Sequence, residues 1–77
     1  MRDTLDYQQW IGFGSRLRDL RLRRGMTQTA LAKSLGFAHP SSISNIEKGR
    51  RPVVEAELSR IAEALNCSLE ELSIGRR

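Results

Sequence analysis

Ser41, Ser42, Ser44 and Asn45 lie within one short stretch, and Lys48, Arg50 and Arg51 follow it directly. Hydroxyls and a carboxamide both donate and accept hydrogen bonds, so they suit a partner with mixed donors and acceptors along an edge. The cations suit phosphates. Asparagine pairs in bidentate fashion with adenine, and serine can donate to or accept from several bases. Pro40 can make only apolar contact, for instance with a thymine methyl. These residue types describe recognition of duplex DNA. Pro40, Ser41, Ser42 and Asn45 would meet base edges, and Ser44, Lys48, Arg50 and Arg51 would meet phosphates. Ser41 fits a helix-capping role equally well. Arginine and glutamine, both strong direct readers, are absent from residues 40–45, so groove shape is expected to share the discrimination.

Other chemistries find little support. There are no paired carboxylates on one face, no nucleophile–base pair and no phosphate-cradling glycine loop, so no enzyme is expected. His39 is the single histidine and Cys67 the single cysteine. Neither has a partner at ligand spacing, so no metal and no cofactor are expected. His39 reads as a helix cap or turn residue. Cys67 has no second cysteine to pair with, which fits a reducing compartment. It reads as a small buried residue. A redox-sensor role is the alternative for Cys67, but Asn66 and Ser68 supply no cation to lower its pKa.

The reading residues need a helix to carry them. Thr27 is a good N-cap, Ala30, Leu31 and Leu35 repeat at helical spacing, and Gly36 ends that helix. After Phe37 and Ala38, His39 is expected as the next N-cap and Pro40 as the first helical residue. Ile43 and Ile46 face inward from this helix, and Gly49 closes it. Two short helices around a glycine-containing turn form the DNA-binding helix-turn-helix pattern over residues 27–47. Around it, a helix is expected over residues 15–24, capped by Ser15 and closed by Gly25. A fourth is expected over residues 54–65, with Leu58, Ile61, Ala62 and Leu65 as its inner stripe. Ser68 caps a short fifth helix, with Leu69 and Leu72 inward. Residues 1–13 read as a packed N-terminal extension, because Tyr7, Trp10 and Phe13 are three of the four aromatic residues.

A chain of 77 residues with 39 % hydrophobic content makes one small domain, set at residues 14–77 after the extension. No apolar run approaches a membrane span and the N-terminus is polar, so no membrane is involved and a cytoplasmic location is expected. The net charge is +4, and its distribution is uneven. Residues 1–51 hold ten Lys or Arg against four acids, and residues 52–77 hold three Arg against five Glu. A basic front suits phosphates, although a solvated basic surface explains it as well.

The chain resembles the lambda-repressor-like, Cro/C1-type (XRE family) helix-turn-helix proteins. The resemblance rests on Gly14, Leu17, Leu20 and Arg21, on Gly25 to Gln28, and on Leu31-Ala32 with Leu35-Gly36. It continues through Ile43-Ser44, Ile46 to Gly49, Pro52, Leu58, Ile61-Ala62, Leu65, Ser68-Leu69 and Leu72. It implies an all-α, five-helix DNA-binding domain. It also gives Gln28 a phosphate-binding role, aided by the helix N-terminus, and makes Arg21 and Glu47 a structural ion pair between the first and third helices. One departure stands out. The interval from Gly36 to Ile43 is one residue longer than is usual in the family, which shifts the start of the reading helix.

The expected function is a sequence-specific double-stranded DNA-binding transcriptional regulator. It would act by occupying a promoter, chiefly as a repressor by exclusion, with activation through direct contact with polymerase as the other route. One reading helix covers few base pairs, so a homodimer on a pseudo-palindromic operator is expected. Tyr7, Trp10, Leu72 and Ile74 are the dimer candidates, or else they close the monomer's core. The alternatives are the antitoxin of a toxin–antitoxin pair, with the toxin as partner, and a restriction–modification controller protein.

Overall fold

A computed structural model describes the backbone of residues 7–72 and the side chains of residues 10–72. Within that span the chain is all-α. Four helices, α1 (Tyr7–Arg23), α2 (Gln28–Leu35), α3 (Ser41–Glu47) and α4 (Glu55–Leu65), are followed by a single 3-10 turn, Glu70–Leu72, where a fifth helix was expected. α1 and α2 both pack on α3, α4 packs on α2, and the 3-10 turn returns to α1. Phe13, Leu17, Leu31, Ile43, Ile46, Ile61, Leu65 and Leu72 are fully buried at the centre.

The first helix begins well before Ser15. Residues 7–13, set apart as an extension on sequence grounds, are its opening turns. Gly12 and Gly14 argue locally against a helix there, but tertiary packing overrides them. Trp10 meets Phe13 edge-to-face with ring centroids 5.8 Å apart, and Phe13 continues into the stripe of Leu17 and Leu20. Gly14 has a positive role. A Cβ at this position would overlap the carbonyl oxygens of Ile46 and Glu47, so its absence lets α1 cross the last turn of α3 at backbone contact. Three residues earlier on α1, Ile11 covers Gly49, which is buried and has φ +76°.

The remaining boundaries follow their caps. Thr27 Oγ1 accepts from the Ala30 amide at 3.0 Å, and Gly36 leaves α2 at φ +79°. Pro40 stands just before α3 as its cap residue, already helical at φ −66°, ψ −16°; His39 had been expected there. His39 contributes only its carbonyl, which accepts from Ser42 N–H at 3.2 Å. Glu57 Oε1 accepts from the Val54 amide at 3.2 Å at the start of α4. This is half of a capping box, because valine has no oxygen to return the bond. Asn66 takes the left-handed position after α4. Ser68 and Glu71 then form a full capping box, with bonds of 2.9 and 3.1 Å. Leu72 is completely buried, but Leu69, expected inward, is 53 % exposed. One 3-10 turn is too short to carry a second residue to the inner face.

Candidate nucleic-acid interface

α3 presents two unlike faces. Ile43 and Ile46 are buried against α1 and α2, and Ser41 and Lys48 are exposed, with Ser42, Ser44 and Asn45 half-buried between them. Ser41, Ser42, Ser44 and Asn45 make no side-chain hydrogen bond among the described residues, nor do Lys48 and Arg50. One side of a short helix therefore carries hydroxyls, a carboxamide and flanking cations with their bonding capacity unused. A polar row left open beside a fully packed apolar row is the arrangement a groove-reading helix requires.

The base of that helix is anchored by an ion pair. Arg21 Nε donates to Glu47 Oε2 at 2.6 Å and Nη2 donates to Oε1 at 3.2 Å. Both side chains are nearly sealed from water, at 8 % and 5 % exposure. Arg21 Nη1 also donates to the Met26 carbonyl at 2.9 Å, which ties α1 to the entrance of α2. Gln28 joins the group, because its Nε2 donates to Glu47 Oε1 at 3.0 Å. Glu47 therefore orients the carboxamide that opens α2, and Gln28 has one N–H and its carbonyl oxygen left over.

Other cations are occupied elsewhere. Arg24 Nε donates to the Leu65 carbonyl at 2.6 Å and Nη2 to that of Asn66 at 3.1 Å, capping the end of α4. Arg51, grouped on sequence grounds with the phosphate contacts, grips Glu57 with two parallel bonds of 3.2 and 3.0 Å. Its guanidinium also lies 5.0 Å from the centroid of the Phe37 ring. That bidentate grip is the main reason the Glu57 carboxyl is held below its ordinary value; burial opposes it, and the Val54 amide adds to it. At Cys67 burial pushes the thiol up, Glu71 adds to the rise and Arg24 opposes it, so the thiol is not activated.

The dimer candidates are distributed unevenly. Leu72 has no surface to offer a second copy, because it is fully buried in its own core. Trp10 is half-buried on Phe13. The Tyr7 side chain and Ile74 lie outside the described residues. Among the described residues no helix is long and apolar enough to cross a membrane, and no group of three or more possible ligands gathers to hold a metal.

The family model for a helix-turn-helix domain matches residues 13–73. The chain belongs to this helix-turn-helix family. Among relatives it is 38 % identical over 61 residues to the HTH-type transcriptional regulator YazB of Bacillus subtilis, covering 79 % of this chain and 87 % of that one. It is 41 % identical over 64 residues to the competence pilus inhibition repressor of Acinetobacter baylyi, covering 80 % of this chain. It spans 56 % of that repressor, and only 12 % of the regulator PrpR of Mycobacterium tuberculosis. Among solved structures, the restriction-modification controller protein C.AhdI from Aeromonas hydrophila superposes with a TM-score of 0.81 at 34 % identity, covering 87 % of this chain and all of that one. The clp gene regulator ClgR of Corynebacterium glutamicum superposes at 0.77 with 28 % identity, covering 83 % and 82 %. Within this helix-turn-helix frame, α2 and α3 are the paired helices and α3 is the second of the two, the position of the recognition helix.

Sequence reasoning missed the bond from Gln28 to Glu47, the Arg24 cap and the Arg51–Glu57–Phe37 contact. One of these had a local signal. Glu57 stands three residues after Val54, at the spacing of a capping box, and that marks it as a carboxylate near the start of α4.

Proposed function

We propose that this chain is a sequence-specific transcriptional regulator that lays α3 in the major groove of duplex DNA. The observation that carries this reading is the open polar row of α3 beside its packed apolar row. Ser42 and Asn45 meet base edges, with Ser41 and Pro40 at the helix start. Lys48, Arg50 and Ser44 meet phosphates, and Gln28 contacts another through the N–H that Glu47 leaves unused. The chain works in the cytoplasm as a two-fold dimer on a pseudo-palindrome, with half-sites about 34 Å apart. It represses by occupying a promoter and performs no chemistry. The likeness to C.AhdI over the whole of that protein favours a second reading, a restriction–modification controller. A restriction enzyme gene beside this one would select it.

Selection from a randomised duplex pool, followed by titration of the recovered duplex and a scrambled one, tests the proposal. Asn45→Ala should weaken binding to the recovered duplex by about 1–3 kcal/mol and leave the salt dependence intact. Lys48→Gln should weaken both duplexes and flatten the log–log salt slope by about 0.9. Equal losses on both duplexes for Asn45→Ala would remove α3 as the reader.

A further inference from the structure

α3 has seven residues, too few to be stiff on its own. Its buried Ile43 and Ile46 fix one face, but its tilt depends on the irregular segments at each end. The segment before it runs from the left-handed Gly36 to Pro40. The two flanks meet at one side chain. Arg51, which follows α3, stacks its guanidinium 5.0 Å from the ring centroid of Phe37, which precedes α3. The same group donates from Nη1 and Nη2 to the two carboxylate oxygens of Glu57, and Glu57 holds the Val54 amide at the start of α4. A single planar cation thus joins the entry to α3, its exit and the next helix. Lysine could not do this, since it lacks both the flat stacking surface and the fork.

We propose that Arg51 is a positioning residue for DNA recognition. It closes the chain around α3 and sets the angle at which Ser42 and Asn45 are presented, and it does not hold a phosphate. Two of its nitrogens already face the Glu57 carboxylate, whose charge offsets its own toward an incoming phosphate. The inference deepens the reading of α3 as the recognition helix and rests on it.

The test uses the full chain and four variants: Arg51→Lys, Arg51→Gln, Glu57→Gln and Phe37→Leu. Each is checked for folding by circular dichroism at the titration temperature. Each is then titrated with the duplex recovered from the random pool and with a scrambled duplex, across a potassium chloride series. Positioning predicts that Arg51→Lys loses affinity for the recovered duplex as fully as Arg51→Gln, by about five- to tenfold. Glu57→Gln and Phe37→Leu lose it in the same direction. The salt slope and the binding to the scrambled duplex stay at the native level. A phosphate contact would behave oppositely. Arg51→Lys would retain affinity, Arg51→Gln would flatten the slope by about 0.9, and Glu57→Gln would bind more tightly because the cation is released. Either that pattern, or folded variants whose preference for the recovered duplex is unchanged, overturns the proposal. Should one variant fail to fold, the remaining three still separate the two patterns. Failure of the native chain to bind any duplex would overturn the recognition reading, and the positioning role with it. Native binding with the phosphate pattern would overturn the positioning role alone.

Discussion

Glu47→Gln should destabilise this domain far more than its small change in shape suggests. Glu47 accepts from Arg21 Nε at 2.6 Å, from Arg21 Nη2 at 3.2 Å and from Gln28 Nε2 at 3.0 Å. The substitution turns one of its two oxygens into an amide nitrogen that faces a donor instead of an acceptor. It also leaves the Arg21 guanidinium at 8 % exposure with no counter-charge. Breaking a buried pair in this way costs about 3–5 kcal/mol. A domain of this length is stable by roughly 4–12 kcal/mol in total, so the loss is a large part of the whole. With a urea slope of about 1 kcal/mol/M, the unfolding midpoint, followed by far-ultraviolet circular dichroism, should fall by about 3 M or more. Otherwise the variant starts out partly unfolded. The double variant Arg21→Met/Glu47→Leu should be more stable than Glu47→Gln, because no charge is then left buried alone. A midpoint shift under about 1 M, or a double variant as weak as the two single losses added, would refute the argument.

Two further perturbations follow from the same geometry. Gly14→Ala forces a methyl against the Ile46 and Glu47 carbonyls and should cost about 3 kcal/mol or more, lowering the thermal midpoint by 10 °C or more at about 4–8 °C per kcal/mol. Gly12→Ala, in the same helix with open space at its Cβ, should raise the midpoint instead, by up to about 1 kcal/mol of helix propensity; calorimetry that moved both the same way would count against the close crossing of α1 and α3. For Glu57 the folded-state carboxyl lies below its ordinary value of 4.5, so its contribution is complete above that pH and is lost as the pH falls through the folded value. The stability gap between the native chain and Glu57→Gln should therefore hold at neutral pH and close in acid, and a gap that persists into strong acid would show that the ion pair is not its source.

Much of the recognition unit was legible because its signals are local. Thr27, Gly36 and the spacing of Leu31 and Leu35 act within a turn or so of themselves, and α2 has those bounds. The start of α1 was not legible. Gly12 and Gly14 are poor helix residues on local grounds, and what makes Gly14 acceptable is the backbone of Glu47, far along the chain. The role of Arg24 was not legible either, because the carbonyl it caps is 41 residues away. Leu69 stands just before the 3-10 turn Glu70–Leu72 and outside its regular geometry, so only Leu72 reaches the core. For Gly14 and Arg24 the deciding partner lies outside the window in which propensity and periodicity operate.

The charge distribution shows the same limit and carries a functional consequence. Ten Lys or Arg in residues 1–51 make the front of the chain look broadly basic, yet Arg21, Arg24 and Arg51 already have partners within the chain: Glu47, the carbonyls at the end of α4, and Glu57. A count of cations therefore overstates how many can meet phosphates. The uncommitted charge nearest the reading row is Lys48 and Arg50, at the C-terminal end of α3. Binding strength that depended on the whole basic front would spread the contacts over α1 as well, and the salt slope would be steep. Binding centred on α3 draws on fewer phosphates, so the slope should be shallower than the charge count implies. On the proposed reading, discrimination then rests more heavily on how accurately Ser42 and Asn45 are held, and the contacts of Arg21 with Glu47 and of Arg51 with Glu57 and Phe37 are the ones that would hold them.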